Sequence, residues 1–295
     1  MNFRTDLALE RANMIAPTEL EGVETKTNQI DNATITSVEV KNEKGAQTLG
    51  KPIGKYITIE IPPFTSDSDF LDGRLTAVTT EIKRLLPDGE VLVIGLGNRH
   101  ITPDAFGPDC ANEVIATRHI SKEVAKHFGL GDLRSVSTLS PGVLGQTGLE
   151  TVEIIRGLVD VIKPSAILTI DALSAKEVSR LGCTVQITDT GISPGSGVGN
   201  TRCEISQKTL GVPVISLGVP TVVDGMTLCT NLIEPDEEEE DEIRKKLSLK
   251  KESNLIVTPA EVDLLIEKAS RFVALAINSA LQPHLKVEEI LSLIA

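Results

Sequence analysis

Three short runs, "EVLVIGLG" (90–97), "SAILTID" (165–171) and "GVPVISLGVP" (211–220), are apolar almost without interruption. A strand with one wet side alternates apolar and polar residues, so strands this uniformly apolar must be covered on both faces. Between them lie segments with helical spacing. "CANEVIATRHISKEVAKHF" (110–128) predicts one helix, stopped by Gly129. "LETVEIIRGLVDVIK" (149–163) predicts another, opened by a capping box from Thr147 to Glu150 and closed by Pro164. Apolar strands alternating with helices predict an α/β fold, a mostly parallel sheet covered by helices on both faces.

Near the N-terminus the pattern changes. "TITSVEV" (34–40) and, from Lys55, "KYITIEI" alternate with period two around a turn-rich link, which predicts an added antiparallel strand pair. Residues 1–27 show no clear period, and a helix is expected from about Asp69 to Leu86. Thr258, Pro259 and Glu261 form a helix-start signal, after which Val262, Leu265, Ile266, Ala269, Val273, Ala276, Ile277 and Ala280 repeat on one face. Before it, eight of the nine residues 234–242 are acidic and a basic cluster follows; 234–253 reads as a solvated excursion from a single domain.

Composition excludes several classes. Aromatic residues make up 2% of the 295, Tyr56 is the one tyrosine, and the net charge is −13. Direct nucleic-acid binding needs a basic face and, for single strands, exposed rings. No apolar run reaches the roughly 18 residues that cross a bilayer, and "MNFRTDLALERANMI" is not a signal peptide. The four cysteines form no CxxC pair and read as buried thiols of a reducing compartment. A cytoplasmic location is expected.

Three motifs bear on chemistry. "GLGNRH" opens like a dinucleotide loop with Gly95 and Gly97, but His100 stands where the third glycine belongs, and prolines 103 and 108 disfavour a helix start. "GISPG" (191–195) has the spacing of a serine nucleophile, yet Pro194 lacks the N–H that the oxyanion hole requires. Its loop could still line a cleft, with Gly195, Gly197 and Gly199, as could Gly95, Gly97 and Asn98. Lastly, Asp104 and Asp171 each follow an apolar strand and are expected at one edge of the sheet. Each could be a local cap. If they converge, two like charges about 4 Å apart repel by roughly 4 kcal/mol at an effective dielectric of 20, worth about 3 pKa units. Such a pair shares one proton: its ionised member takes a proton from water while the other donates to a peptide carbonyl. The same pair could instead hold one divalent metal that activates the water.

The motifs "GLGNxxxTPDAxGP", "LSPGVLGQTG", "TIDALSA", "ITDTGISPGSGVGN" and "GVPTVVD" occur here in that order. Together they resemble the germination protease family of spore-forming bacteria, from Arg4 to the C-terminal helix. The resemblance implies an endopeptidase that degrades small acid-soluble spore proteins in the spore core, made as a zymogen and assembled as a homotetramer. It implies a fold similar to the hydrogenase-maturation endopeptidases and puts the family's catalytic aspartates on Asp104 and Asp171, with no cofactor. A metal-assisted mechanism stays open, although of His100, His119, His127 and His284 only His100 lies near a motif. The family cuts after Glu or Asp, before a large apolar residue with Ala next. "RTDLALE" offers Asp6, Leu7 and Ala8 in that order, so residues 1–6 are expected to be a propeptide and 7–295 the peptidase domain. The preferred acid three places before the cut is missing, since Phe3 stands there. Two other classes stay in view: a nucleotide-binding α/β enzyme, and a non-catalytic interaction protein using the acidic run.

Overall fold

The computed structural model describes residues 4–66, 71–195, 202–233 and 255–294. The acidic stretch 234–253, Gly197 and Gly199 lie outside the described residues. Along the chain the strands are β1 (Val23–Ile30), β2 (Ala33–Val40), β3 (Gly54–Glu60), β4 (Val91–Gly95), β5 (Val136–Leu139), β6 (Ala166–Ala175), β7 (Thr184–Thr188), β8 (Val214–Asp224) and β9 (Ile256–Val257). They form one sheet in the order β1-β2-β3-β7-β8-β6-β4-β5, with β9 on the end of β8.

The three apolar runs become β4, β6 and β8, every residue of β4 and β8 being buried. Pairings β4–β5, β4–β6 and β6–β8 are parallel, as that pattern demands. The other five described pairings are antiparallel. The sheet is therefore mixed rather than mostly parallel. The expected antiparallel pair exists as β2–β3, but β7 welds it to β8, and β1, in the segment without a period, extends it by one strand. β1 is largely exposed, so burial imposed no readable alternation on it.

Helices cover both faces of the parallel half. On one, Gly73–Leu85, Phe106–Asn112 and Val262–Leu281 bury Val78, Ile82, Phe106, Phe272 and Val273 against Val93, Leu168 and Leu217. On the other, Thr151–Ile162 packs Val152, Ile155 and Val159 onto Leu92, Ile94 and Ile167. The expected stripe of the long C-terminal helix is buried from Leu265 to Ala280, with Val262 packed at its edge. Its start differs, since Glu261 is the N-cap and no side chain caps it.

Two helix boundaries also differ. The run 110–128 is not one helix: Phe106–Asn112 ends early, and Lys122–His127 forms separately. Between them Thr117 and Arg118 N–H both donate to Val136 O, and Ile115 N–H to Asn278 Oδ1, so tertiary partners replace helical ones. The helix Thr151–Ile162 starts from Glu150, whose N–H donates to Glu153 Oε2, while Thr147 closes a preceding turn. Of the cysteines only Cys110 is fully buried; Cys203 and Cys229 are exposed. Among the described residues no helix is long and apolar enough to cross a membrane.

The N-terminal residues are integral to the fold. Leu7 and Ala8 are fully buried, and the helix Ala8–Asn13 packs with Val38, Val40, Leu49 and Tyr56 against the antiparallel half. Leu7 itself sits with Leu173 and Ala175 of β6.

Candidate active site

β4 leads into the loop that carries Asp104. Gly97 there has φ +124°, and a Cβ on it would lie 2.1 Å from Asp104 O. Only a glycine lets the backbone turn this tightly against the acid. The loop closes as Asn98 N–H donates to Asp104 Oδ2 at 2.7 Å and Asp104 N–H to Ile101 O at 2.8 Å. Thr221 Oγ1 of β8 donates to Pro103 O at 2.8 Å and ties the turn to the sheet.

A helix does begin here, at Phe106, after the turn rather than straight from the loop, with Pro108 tolerated in its first turn. Gly107 gives that helix its close approach: a Cβ on it would lie 2.2 Å from Leu96 O and 2.4 Å from Ile170 O. A Cβ on Gly95 would meet Gly107 O at 2.3 Å, so Gly95 serves this packing and not the cleft lining expected of it. The glycines position an acid.

Asp171 does not end its strand. β6 continues to Ala175, with a register shift between Leu173 and Ser174, and Asp171 stands mid-strand and buried beside Gly218 of β8. It and Asp104 line one cavity of about 370 Å³ together with Asp6, Gly97, Asn98, Gly195, Glu150 and Arg202. Burial raises the Asp104 carboxyl above the usual range, opposed by the Asn98 N–H. Asp171 is pushed well above it, first by burial and then by the charges of Asp104 and Asp6, against one N–H from Ala172. Desolvation and like-charged neighbours act on Asp171 in the same direction, both favouring its protonated form.

The other sequence candidates fall apart from this pair. Ser193 lines a second cavity, of about 310 Å³, which shares Asp6 with the first. His100 is exposed and faces a third one, with Arg99 and Gln146. Among the described residues no three His, Cys, Asp or Glu side chains gather where they could hold a metal ion. The carboxyl pair thus gives a metal two ligand residues, fewer than the three protein ligands of a catalytic zinc site.

Sequence reasoning missed Lys51 and Gln186, which line the second cavity and reach Asp6. Gln186 carried a signal, a polar residue inside the otherwise β-branched "TVQIT"; Lys51, in a turn-rich link, carried none.

Comparison with known proteins yields one consistent result. The germination protease family model matches residues 5–235. The germination protease of Caldanaerobacter subterraneus subsp. tengcongensis is 42% identical over 98% of this chain and 97% of its own. That of Clostridium acetobutylicum is 43% identical over 98% of both. A Bacillus cereus relative of the same name is 33% identical over 95% of this chain and 94% of its own.

Proposed function

The chain belongs to the germination protease family, an endopeptidase of spore germination, and from that premise we propose that Asp104 and Asp171 hydrolyse the peptide bond as an aspartic pair. Small acid-soluble spore proteins are the substrates. The observation that carries the reading is the shared cavity in which Asp171 is pushed well above the ordinary carboxylate range by burial and by Asp104. Asp104, the less buried member, is the ionised base that takes a proton from water. Asp171 is the acid that gives one to the peptide being cut. No metal is needed, because the water is activated by a base already in place. Arg202, the one cation among the described residues lining the cavity, suits an acidic side chain on the substrate, in keeping with cleavage after Glu or Asp.

The chain is also its own first substrate. Asp6 lines the cavity that holds both acids, and Leu7 follows it into the core, which brings the residue before the bond to the acids' cavity in the folded chain. Self-cleavage there would release residues 1–6 and convert a zymogen, in a homotetramer, to the mature form.

Turnover of a spore-protein peptide by the purified chain tests this. Asp104→Asn and Asp171→Asn keep the side-chain volume but cannot exchange the proton, and each should lower the rate constant by about 10³-fold or more. Activity should survive exhaustive chelation. Near-wild-type turnover by either variant contradicts the aspartic pair, and loss on chelation with recovery on adding one divalent metal replaces it by the metal-assisted reading.

A further inference from the structure

The register of the sheet sets Thr58, Gln186, Gly218 and Asp171 side by side on β3, β7, β8 and β6. Cross-strand partners project from the same face, and strands lie about 4.8 Å apart. Gln186 and Asp171 therefore share a face, separated by the one position in the row that has no side chain. The N-terminal segment is held on this face by hydrogen bonds to its main chain. Asp6 N–H donates to Ser174 O at 2.9 Å, and Ser174 N–H donates to Asp6 Oδ2 at 2.9 Å. Ala8 N–H donates to Gln186 Oε1 at 2.9 Å, which settles which end of that amide is oxygen. The other end, Nε2, donates to Asp6 O at 3.1 Å. Lys51 Nζ donates to the same oxygen at 2.8 Å.

Gln186 thus takes the C=O of one residue and the N–H of the second residue after it, the pair of contacts a neighbouring parallel strand would make. It spans the Asp6–Leu7 bond. Asp6 borders both cavities, the acids lying in one and Lys51 and Gln186 in the other. We propose that Lys51 and Gln186 form the oxyanion-stabilising site for cleavage of the Asp6–Leu7 bond. This rests on the self-cleavage reading above.

The step then balances as follows. Water, losing a proton to Asp104, adds to the Asp6 carbonyl carbon, and the carbonyl electron pair moves onto the oxygen between Lys51 Nζ and Gln186 Nε2. With that oxygen already held by two donors, the proton of Asp171 goes to the Leu7 nitrogen. The C–N bond breaks as the oxygen returns its pair, leaving an Asp6 carboxyl and a Leu7 amine. One proton passing from Asp104 to Asp171 restores the pair. An ammonium and an amide aimed at the carbonyl oxygen before the reaction begins supply the charge stabilisation that usually dominates acyl-transfer catalysis.

The test follows conversion of purified full-length chain to a form beginning at Leu7, by intact mass and N-terminal sequencing. Lys51→Met removes one donor; Gln186→Glu keeps the acceptor for Ala8 N–H while replacing the donor. Each should slow conversion about 100-fold or more, the usual effect of losing one such donor. Lys51→Arg, which retains a cationic donor, should stay within about tenfold of wild type. Thermal unfolding of each variant checks that it is folded, and because Met carries no buried charge Lys51→Met should unfold no earlier than wild type. A purely structural role would move the unfolding temperature and not the rate, and would show no rescue by Arg. Conversion of both Lys51→Met and Gln186→Glu at the wild-type rate, with Asp104→Asn inert, overturns this inference and leaves the self-cleavage reading standing. A wild-type chain that is cut elsewhere, or an Asp104→Asn chain that converts normally, overturns both.

Discussion

The two halves of the sheet meet at β8 and divide the work. The parallel half, β5-β4-β6-β8, supplies both acids: Asp104 from the loop after β4 and Asp171 from the middle of β6. The antiparallel half, β1-β2-β3-β7, gives the acid pair no further carboxylate from its strands. It holds the peptide instead, through Gln186 on β7 and Lys51 just before β3. Parallel strands bring their loops to one edge and so concentrate reactive groups. An antiparallel strand laid beside them offers a face on which a passing chain can be gripped.

That division can be probed from both sides. Leu7 is fully buried where the N-terminal segment rests on β6, so it is core although it precedes every element that periodicity reveals. Leu7→Ala should cost about 2–5 kcal/mol, read from denaturant unfolding, as for other leucines truncated in cores. A loss below about 0.5 kcal/mol would mean that the segment is only laid on the surface of β6 and is not part of the core.

A smaller effect is expected where the helix after β4 meets the sheet. Gly107→Ala forces a methyl against two backbone carbonyls and should cost about 1–3 kcal/mol while displacing the Asp104 turn, so turnover should fall with stability. Unchanged unfolding would show that the helix can draw back without disturbing the acid.

The halves also differed in legibility. β4, β6 and β8 could be read from apolar runs because burial on both faces leaves no choice of residue. Asp104 could be found because its turn is local: Gly97, Asn98 and Asp104 lie within eight residues. The third glycine of the loop was there but displaced, as Gly107, because the turn that presents Asp104 is inserted before the helix. Asp171 reads as a strand end because an acid closes the apolar run "AILTI"; the strand continues regardless, paired to β8 as far as Val223. The grip on Asp6 was illegible for a different reason. It joins residues 6, 51 and 186 through side-chain-to-backbone hydrogen bonds, which leave no period in the sequence. The same long-range bonding broke the helix expected over 110–128, where Asn278 takes the N–H that a helix would have used.

One proton is central to the mechanism. In the unfolded chain Asp171 has the ordinary carboxylate value of 3.8, and folding raises it well above that. Above pH 3.8 the folded chain thus retains a proton that the unfolded chain has released. Stability contributed at this site therefore falls as pH rises through that window. Asp171→Asn cannot ionise and should be relieved of the penalty, being more stable than wild type at pH 7, with the gap closing toward pH 4. The most direct measurement is the carboxyl carbon resonance of Asp171, assigned by its disappearance in Asp171→Asn and followed across a pH titration of Asp6→Asn chain, in which self-cleavage is blocked and the Asp6 charge is absent, leaving Asp104 as the charge that acts on Asp171. The paired-acid account predicts that Asp171 remains protonated at neutral pH and that its titration shifts downward when Asp104 is replaced by Asn. A resonance that titrates in the ordinary carboxylate range, indifferent to Asp104, would contradict it.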